Sequence, residues 1–308
     1  MKKYIMELSK LFAPSGNEGR VVEYIKSAMS SMDCGAECTV DPLNNLIVHK
    51  RGGGRHLVVA CYTDERGLFV SHIEENGHVR FCAVGKGAPE DFLNRTVVLE
   101  NGTTAYVCSD KSLKEECKAS DLYLVSAGKP VKIGDVGVAG IPYSESDNCI
   151  IGKALDRSAV CAAVMGLAEL EADCDLYMVF SSMYQLGKKG LLVALDRIRP
   201  DYAVILDTVA AEQGEKSTFV KVGGGPVVKL KEGPYVADRL MTELAHSEIV
   251  QPYAAGEAQI PAKQAMHFGI LSGNLAIPVE YHGYFTQRID CDDVYNTCNL
   301  LKKIVKNF

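Results

Sequence analysis

Between Gly67 and about Asn148 the chain breaks into short β-like pieces, "LFVSHI", "HVRFCAV", "RTVVLE", "TAYVCS", "DLYLVS" and "DVGVAGI". Turns such as "EENG" and "ENGT" divide them, and no long amphipathic helix intervenes. Both flanks read differently. The opening "KKYIMELSKLFAPSGNEGRVVEYIKSAM" reads as helix, turn, helix, with Val21, Ile25 and Met29 as an apolar stripe and Ser15 with Glu18 as a capping box. "NNLIVHK" and "HLVVACYT" follow as strands, the second apolar enough for a central strand buried on both faces. After residue 148 helices return, near Arg157–Leu170, after Gly187, after Pro234 and after "DCDD", between the strands "DLYMVFSS", "DYAVILDT" and "NLAIPVEY". Asp290 or Asp292 is expected to cap the last helix. The pattern is an α/β chain, residues 1–66 and 149–308, interrupted by a small β-rich domain over 67–148.

Composition narrows the function classes. With 308 residues and 47% hydrophobic content the chain can bury a large core. A net charge of −6 without any long Lys/Arg cluster argues against nucleic acid and anionic membranes as partners. Glu7, Ser9 and Lys10 interrupt the N-terminal apolar stretch, and no run approaches membrane-spanning length, so a cytoplasmic protein is expected. Eleven cysteines without a secretory signal read as reduced thiols. Cys34 and Cys38 lack the companions that a structural zinc site needs.

In an open α/β sheet the ligand crevice lies beyond the carboxyl ends of the strands. Those ends deliver Asp64 and Glu65, Asp156, Asp207, and the run Glu280, Tyr281, His282. Each alone fits a cap or a turn, Asp156 above all as an N-cap. Four such ends on one edge point to a binding site. The ledge "SSMYQLG" after "DLYMVF" occupies the place where such enzymes keep their chemistry, yet Met183, Tyr184 and Gln185 offer no ionisable group at neutral pH.

The ordered segments "APSGNEG", "DPLNNLI", "YTDERGLFVSHIEENGHVRF", "DLYLVSAG", "IGKALDRSA", "ILDT" and "IDCDDV" run from end to end of the chain. Together they make it resemble the glutamyl and tetrahedral aminopeptidases, peptidase family M forty-two, also named endoglucanases or cellulases. The resemblance implies a three-layer α/β/α metallopeptidase (phosphorylase/hydrolase-like) domain with an inserted PDZ-like or barrel dimerisation domain, hence a homo-oligomer. It also implies a centre in which two divalent metals are held by a His, a bridging Asp, a Glu, a second Asp and a second His, with a further Glu as general base. This sequence departs from that set. In "YTDERG" Tyr62 stands at the first His while Asp64 keeps the orienting position; "KALDRS" keeps the bridging Asp156 but places Arg157 at a following Asp; "YQLG" puts Tyr184 at the base and Gln185 at the ligand Glu. Asp207 is retained, and "PVEYHG" sets Gly283 at the last His, with His282 one residue early.

Asp156 and Asp207 alone cannot supply the ligands of a dinuclear site, and a protonated phenol is a poor base. The expectation is a homologue without bound metal or peptidase activity that binds peptides or partner chains. The alternative is an active metallo-aminopeptidase on zinc or cobalt through Asp156, Asp207 and His282. Cys61, one residue from Tyr62, is expected in the core because a one-residue step in a strand reverses the face. The other histidines read as structural or surface groups, and "GGGP" at 223–226 as a tight turn near the cleft. Carboxylates left without cations require compensation, for which Arg157, Lys188, Tyr62 and Tyr184 are the candidates.

Overall fold

The computed structural model describes residues 1–32, 35–85, 87–111, 117–211, 220–233, 235–254 and 268–308. Cys34 and His267 lie outside the described residues. A nine-stranded mixed sheet runs in the order Glu37–Val40, Leu46–Lys50, Asp175–Ser181, His56–Tyr62, Tyr202–Ala210, Leu271–Val279, Val227–Glu232, Tyr235–Val236, with Gln251–Ala254 also paired to Val227–Glu232. The apolar run His56–Tyr62 is central, parallel to a neighbour on each side, and Leu57 to Ala60 are fully buried. A strand with helices over both faces has no solvent side for polar residues, and this is why its pattern does not alternate.

Helices Lys2–Lys10, Gly19–Ser31, Leu155–Met165, Arg239–Ser247 and Cys291–Asn307 supply one core with Ile5, Ile25, Val160, Met241 and Leu301, while Lys189–Ile198 covers the other face with Leu191, Ala194 and Leu195. This is the three-layer α/β/α arrangement. Asp290 caps the final helix by accepting from the Asp292 amide at 2.7 Å. Two expected caps are corrected. The second helix begins only at Gly19, and Ser15 caps nothing; the buried Glu18 carboxylate accepts instead from the Gly16 and Met183 amides, both at 2.8 Å. The helix Leu155–Met165 is entered through Ala154 at φ 49°, so Asp156 lies inside the first turn with its carboxylate free of N-cap duty. "GGGP" is held at the start of the final helix, where Asp293 accepts from the Gly223 and Gly225 amides at 2.7 Å each. It does not border the cleft.

All six β-like pieces of the insertion are strands, and they close into a barrel in the order Gly67–Ile73, Val79–Val84, Leu122–Ala127, Thr104–Ser109, Thr96–Leu99, Val136–Ala139. Leu68, Val70, Phe81, Phe92, Val97 and Val107 fill it. Closure removes the free edges that short strands would otherwise expose. The last barrel strand ends at Ala139; Ser144–Ser146 pairs instead with Cys149–Gly152, which pairs with Gln287–Asp290 on the α/β side. Among the described residues no helix is long and apolar enough to cross a membrane.

Candidate functional site

The ledge between Ser181 and Lys189 is a turn with Met183 and Lys188 in the left-handed region, at φ 51° and 60°. Four successive amides point inward and find side-chain acceptors from other segments, while the Lys188 amide closes the turn on the Tyr184 carbonyl at 2.9 Å. Ser182 donates to Asn45 Oδ1 at 2.9 Å, Met183 to Glu18 at 2.8 Å, Tyr184 to Asp64 Oδ1 at 3.1 Å and Gln185 to Asp64 Oδ2 at 2.8 Å. Asp64 is fully buried, and burial pushes its carboxyl up to about 7 against the opposing pull of those amides. In this chain, therefore, Asp64 orients the ledge. Glu18, read from the sequence as half of a capping box, and Asn45, for which the sequence suggests no role, do the same work.

Above the ledge lie the residues at the replaced positions. The Tyr62 and Tyr184 rings stack with centroids 4.3 Å apart and planes 13° from parallel. Tyr184 donates its hydroxyl to Asp207 Oδ2 at 2.6 Å, and the Thr208 amide donates to Asp207 Oδ1 at 2.8 Å. The Tyr62 hydroxyl is 3.1 Å from Thr208 Oγ1, which is 3.0 Å from His282 Nε2. Burial raises both phenols well above their ordinary range, and the Asp156 and Asp207 charges push Tyr62 further. Both phenols are thus held protonated and are not bases, and Tyr184 is the donor to Asp207. Asp156, half-buried, accepts from the Arg157 amide at 2.8 Å, and its own amide donates to Gln287 at 3.0 Å.

These groups border one cavity of roughly 480 Å³ in which Tyr62, Asp156, Tyr184, Gln185, Asp207 and His282 all have a share. Gly283 is there too, exposed at φ 85°. Glu280, also a strand end, instead pairs with Arg288 at 2.7 Å. Cys61 faces the core, its Sγ 3.9 Å from Cys161 Sγ.

The expected compensation by Arg157 is corrected. Its guanidinium is fully buried and directed the other way, donating to the Leu8 carbonyl at 2.8 Å and to those of Leu11 and Thr63 at 3.3 Å, with Glu65 3.8 Å off. The helix entry at Ala154 turns that side chain beneath the cleft. Lys188 is buried with Nζ 5.4 Å from the Tyr184 ring centroid. Two ion pairs bordering the cavity were missed. Lys153 meets both Glu65 oxygens at 2.7 and 2.8 Å, and Lys229 meets Glu232 at 2.9 Å, all four residues buried. Burial lowers the Lys153 ammonium despite Glu65. Lys153 and Glu65 are 88 residues apart and so leave no local pattern in a sequence, whereas Lys229 and Glu232 are three apart on the strand Val227–Glu232.

As folded, this donor set does not fit a dinuclear metal centre. Asp207 is occupied on both oxygens, the neighbouring phenols are protonated, and Gln185 and Gly283 offer no anionic or imidazole ligand. Among the described residues no three His, Cys, Asp or Glu side chains are grouped to hold an ion.

The family model described as M42 glutamyl aminopeptidase matches residues 44–114 and 125–300. A protein of Acetivibrio thermocellus provisionally named an aminopeptidase is 31% identical over an alignment that covers 94% of this chain and 94% of that one. Among solved structures, an aminopeptidase from the archaeon Desulfurococcus kamchatkensis superposes with a TM-score of 0.89 at 23% identity, over 99% of this chain and 94% of that one. The Pyrococcus horikoshii TET1 peptidase, described as able to assemble into a tetrahedron or a large octahedral shell, superposes with a TM-score of 0.85 at 20% identity, over 100% and 99%.

Proposed function

The chain belongs to the M42 glutamyl aminopeptidase family, and from that premise we propose that its cleft binds peptides or peptide-like segments without a two-metal hydrolytic centre. The observation that carries this reading is the 2.6 Å bond from Tyr184 to Asp207, made by the residue at the general-base position to a retained ligand position. Protein donors meet the carboxylate here, where the family resemblance would set cations, and the cavity beside it is open to a ligand. Asp156 and Asp207 would face the ammonium end of a peptide, and the half-buried Gln185 at the rim retains an amide suited to peptide backbone.

A second reading is favoured by the family itself, whose named relatives are aminopeptidases matched over nearly their whole length. In it Asp156, Asp207 and His282 hold zinc or cobalt and the chain releases N-terminal residues from peptides. One experiment separates the two. Purified protein is incubated with zinc, cobalt or manganese, desalted and analysed for bound metal, and release of N-terminal residues from short peptides is followed with and without chelator. Less than about 0.1 metal per chain, with peptide binding by calorimetry and no release, supports the first reading. Near-stoichiometric metal lost on Asp156→Asn with Asp207→Asn, together with chelator-sensitive release, establishes the second. Assembly into a homo-oligomer through the barrel over 67–139 belongs to the same proposal, supported by the assemblies described for the Pyrococcus horikoshii relative and measurable by light scattering.

A further inference from the structure

One wall of the cleft is built by both modules. The turn over 281–286 carries His282 and has little packing of its own: Tyr281 and Tyr284 are 55% and 67% exposed, and Tyr281 and Gly283 both take positive φ. Such a turn needs an outside anchor to hold an imidazole in one place. The anchor is in the barrel. Phe285 leaves the α/β side and is buried in the barrel core, its ring 4.4 Å from that of Phe92. Arg66, at the point where the chain passes from the central sheet into the barrel, closes the joint from above. Nη1 donates to the Gly283 carbonyl at 2.6 Å, Nη2 donates to Asp91 Oδ2 at 2.5 Å, and the guanidinium lies 4.6 Å from the Phe285 centroid. Asp91 is itself fixed by the Ala88 amide at 3.1 Å. Gly87 has φ 106°, and a Cβ there would fall 2.1 Å from Arg66 Nη2, so the adjoining loop is shaped around the guanidinium.

We propose that Arg66 and Phe285 are positioning residues through which the inserted barrel sets the His282 turn, and with it the hydrogen bond between His282 and Thr208 beside Asp207. A planar fork that spans two modules and stacks on an aromatic ring transmits displacement, whereas a lysine in its place would hold neither the angle nor the second partner. A load on the barrel, such as a subunit docking there, is thereby felt at the cleft. The proposal rests on the cleft being the ligand site, but its test reads the turn without any ligand, so its failure is distinct from a failure of the binding reading.

The test is the imidazole spectrum of full-length protein labelled at histidine. The chain has 7 histidines, and His282→Gln identifies the signal of interest. In the unmodified protein that signal should show one tautomer fixed by Thr208. Arg66→Ala and Phe285→Ala should each shift it toward a freely exchanging imidazole, Phe285→Leu should restore it in part, and Arg66→Lys should not restore it. His49, stacked on Tyr177 4.1 Å away at the opposite end of the sheet, should stay unmoved in all of them. An unchanged His282 signal in both alanine variants overturns the proposal, as does an equal shift of His49. If either variant fails to fold, Asp91→Asn decides, because that half-exposed side chain can be neutralised without loss of core: His282 alone must move, and an unmoved His282 overturns the proposal.

Discussion

Tyr184→Phe removes one hydroxyl and nothing else. The phenyl ring keeps its stack on Tyr62, so the loss isolates the 2.6 Å bond to Asp207. Hydrogen bonds to a charged partner contribute about 1.5–3 kcal/mol, and the half-buried Asp207 can recover some hydration, which puts the expected loss near the low end, about 1.5–2 kcal/mol. For a chain of this size that corresponds to a fall in Tm of roughly 2–3 °C. The control is Tyr62→Phe, which removes only a neutral contact to Thr208 and should cost about 0.5–1.5 kcal/mol. Both are measured by urea unfolding and by thermal scans at one protein concentration, with and without zinc. Zinc should stabilise the Tyr184→Phe protein more than the parent, because Asp207 Oδ2 has lost its competing donor. The reasoning is refuted if Tyr184→Phe costs no more than Tyr62→Phe, or if zinc stabilises the parent equally.

Three further outcomes are expected. Lys153→Met should destabilise by about 2–4 kcal/mol by leaving the buried Glu65 with only the Ala13 amide and the more distant Arg157, and adding Glu65→Leu should return part of that loss in a double-mutant cycle. Burial raises Asp293 from 3.8 to about 6, against the Gly223 and Gly225 amides, so the folded state binds this proton more tightly than the unfolded chain. Its contribution is then fully present below about pH 4 and is lost as pH rises through about 6, at most about 3 kcal/mol, and the stability gap between the parent and Asp293→Asn should change by that amount between pH 4 and 7 in urea titrations. Tyr62→His with Tyr184→Glu and Gln185→Glu should create tight zinc binding, seen as retained metal after desalting; adding Gly283→His should improve it little, because φ 85° costs a side chain about 1–2 kcal/mol.

The layers and the barrel were legible because periodicity reports burial: the unbroken run His56–Tyr62 and the six short strands each have the pattern their surroundings demand. The convergence of Asp64, Asp156 and Asp207 was legible from strand ends. The direction of a side chain was not. Arg157 follows Asp156 by one residue yet turns to Leu8 and Leu11, since the left-handed entry at Ala154 sets the helix phase there. Ser15 with Glu18 matches a cap motif, but the amide of Met183, 165 residues away from Glu18, takes the carboxylate. Phe285 reads as one aromatic in a turn, and only the closed barrel reveals what it fills.

The stacked tyrosines also give the protein an optical handle. The chain has no Trp, so its near-ultraviolet emission comes from 14 tyrosines alone. A phenol donating to a carboxylate is strongly quenched, which makes Tyr184 dark while its bond to Asp207 stands. A molecule that draws Asp207 away would light that ring, and the parallel Tyr62 ring 4.3 Å away would share its exciton band in circular dichroism. Occupancy of the cleft can therefore be followed in unlabelled protein, by the light of two residues standing where catalytic chemistry would be sought.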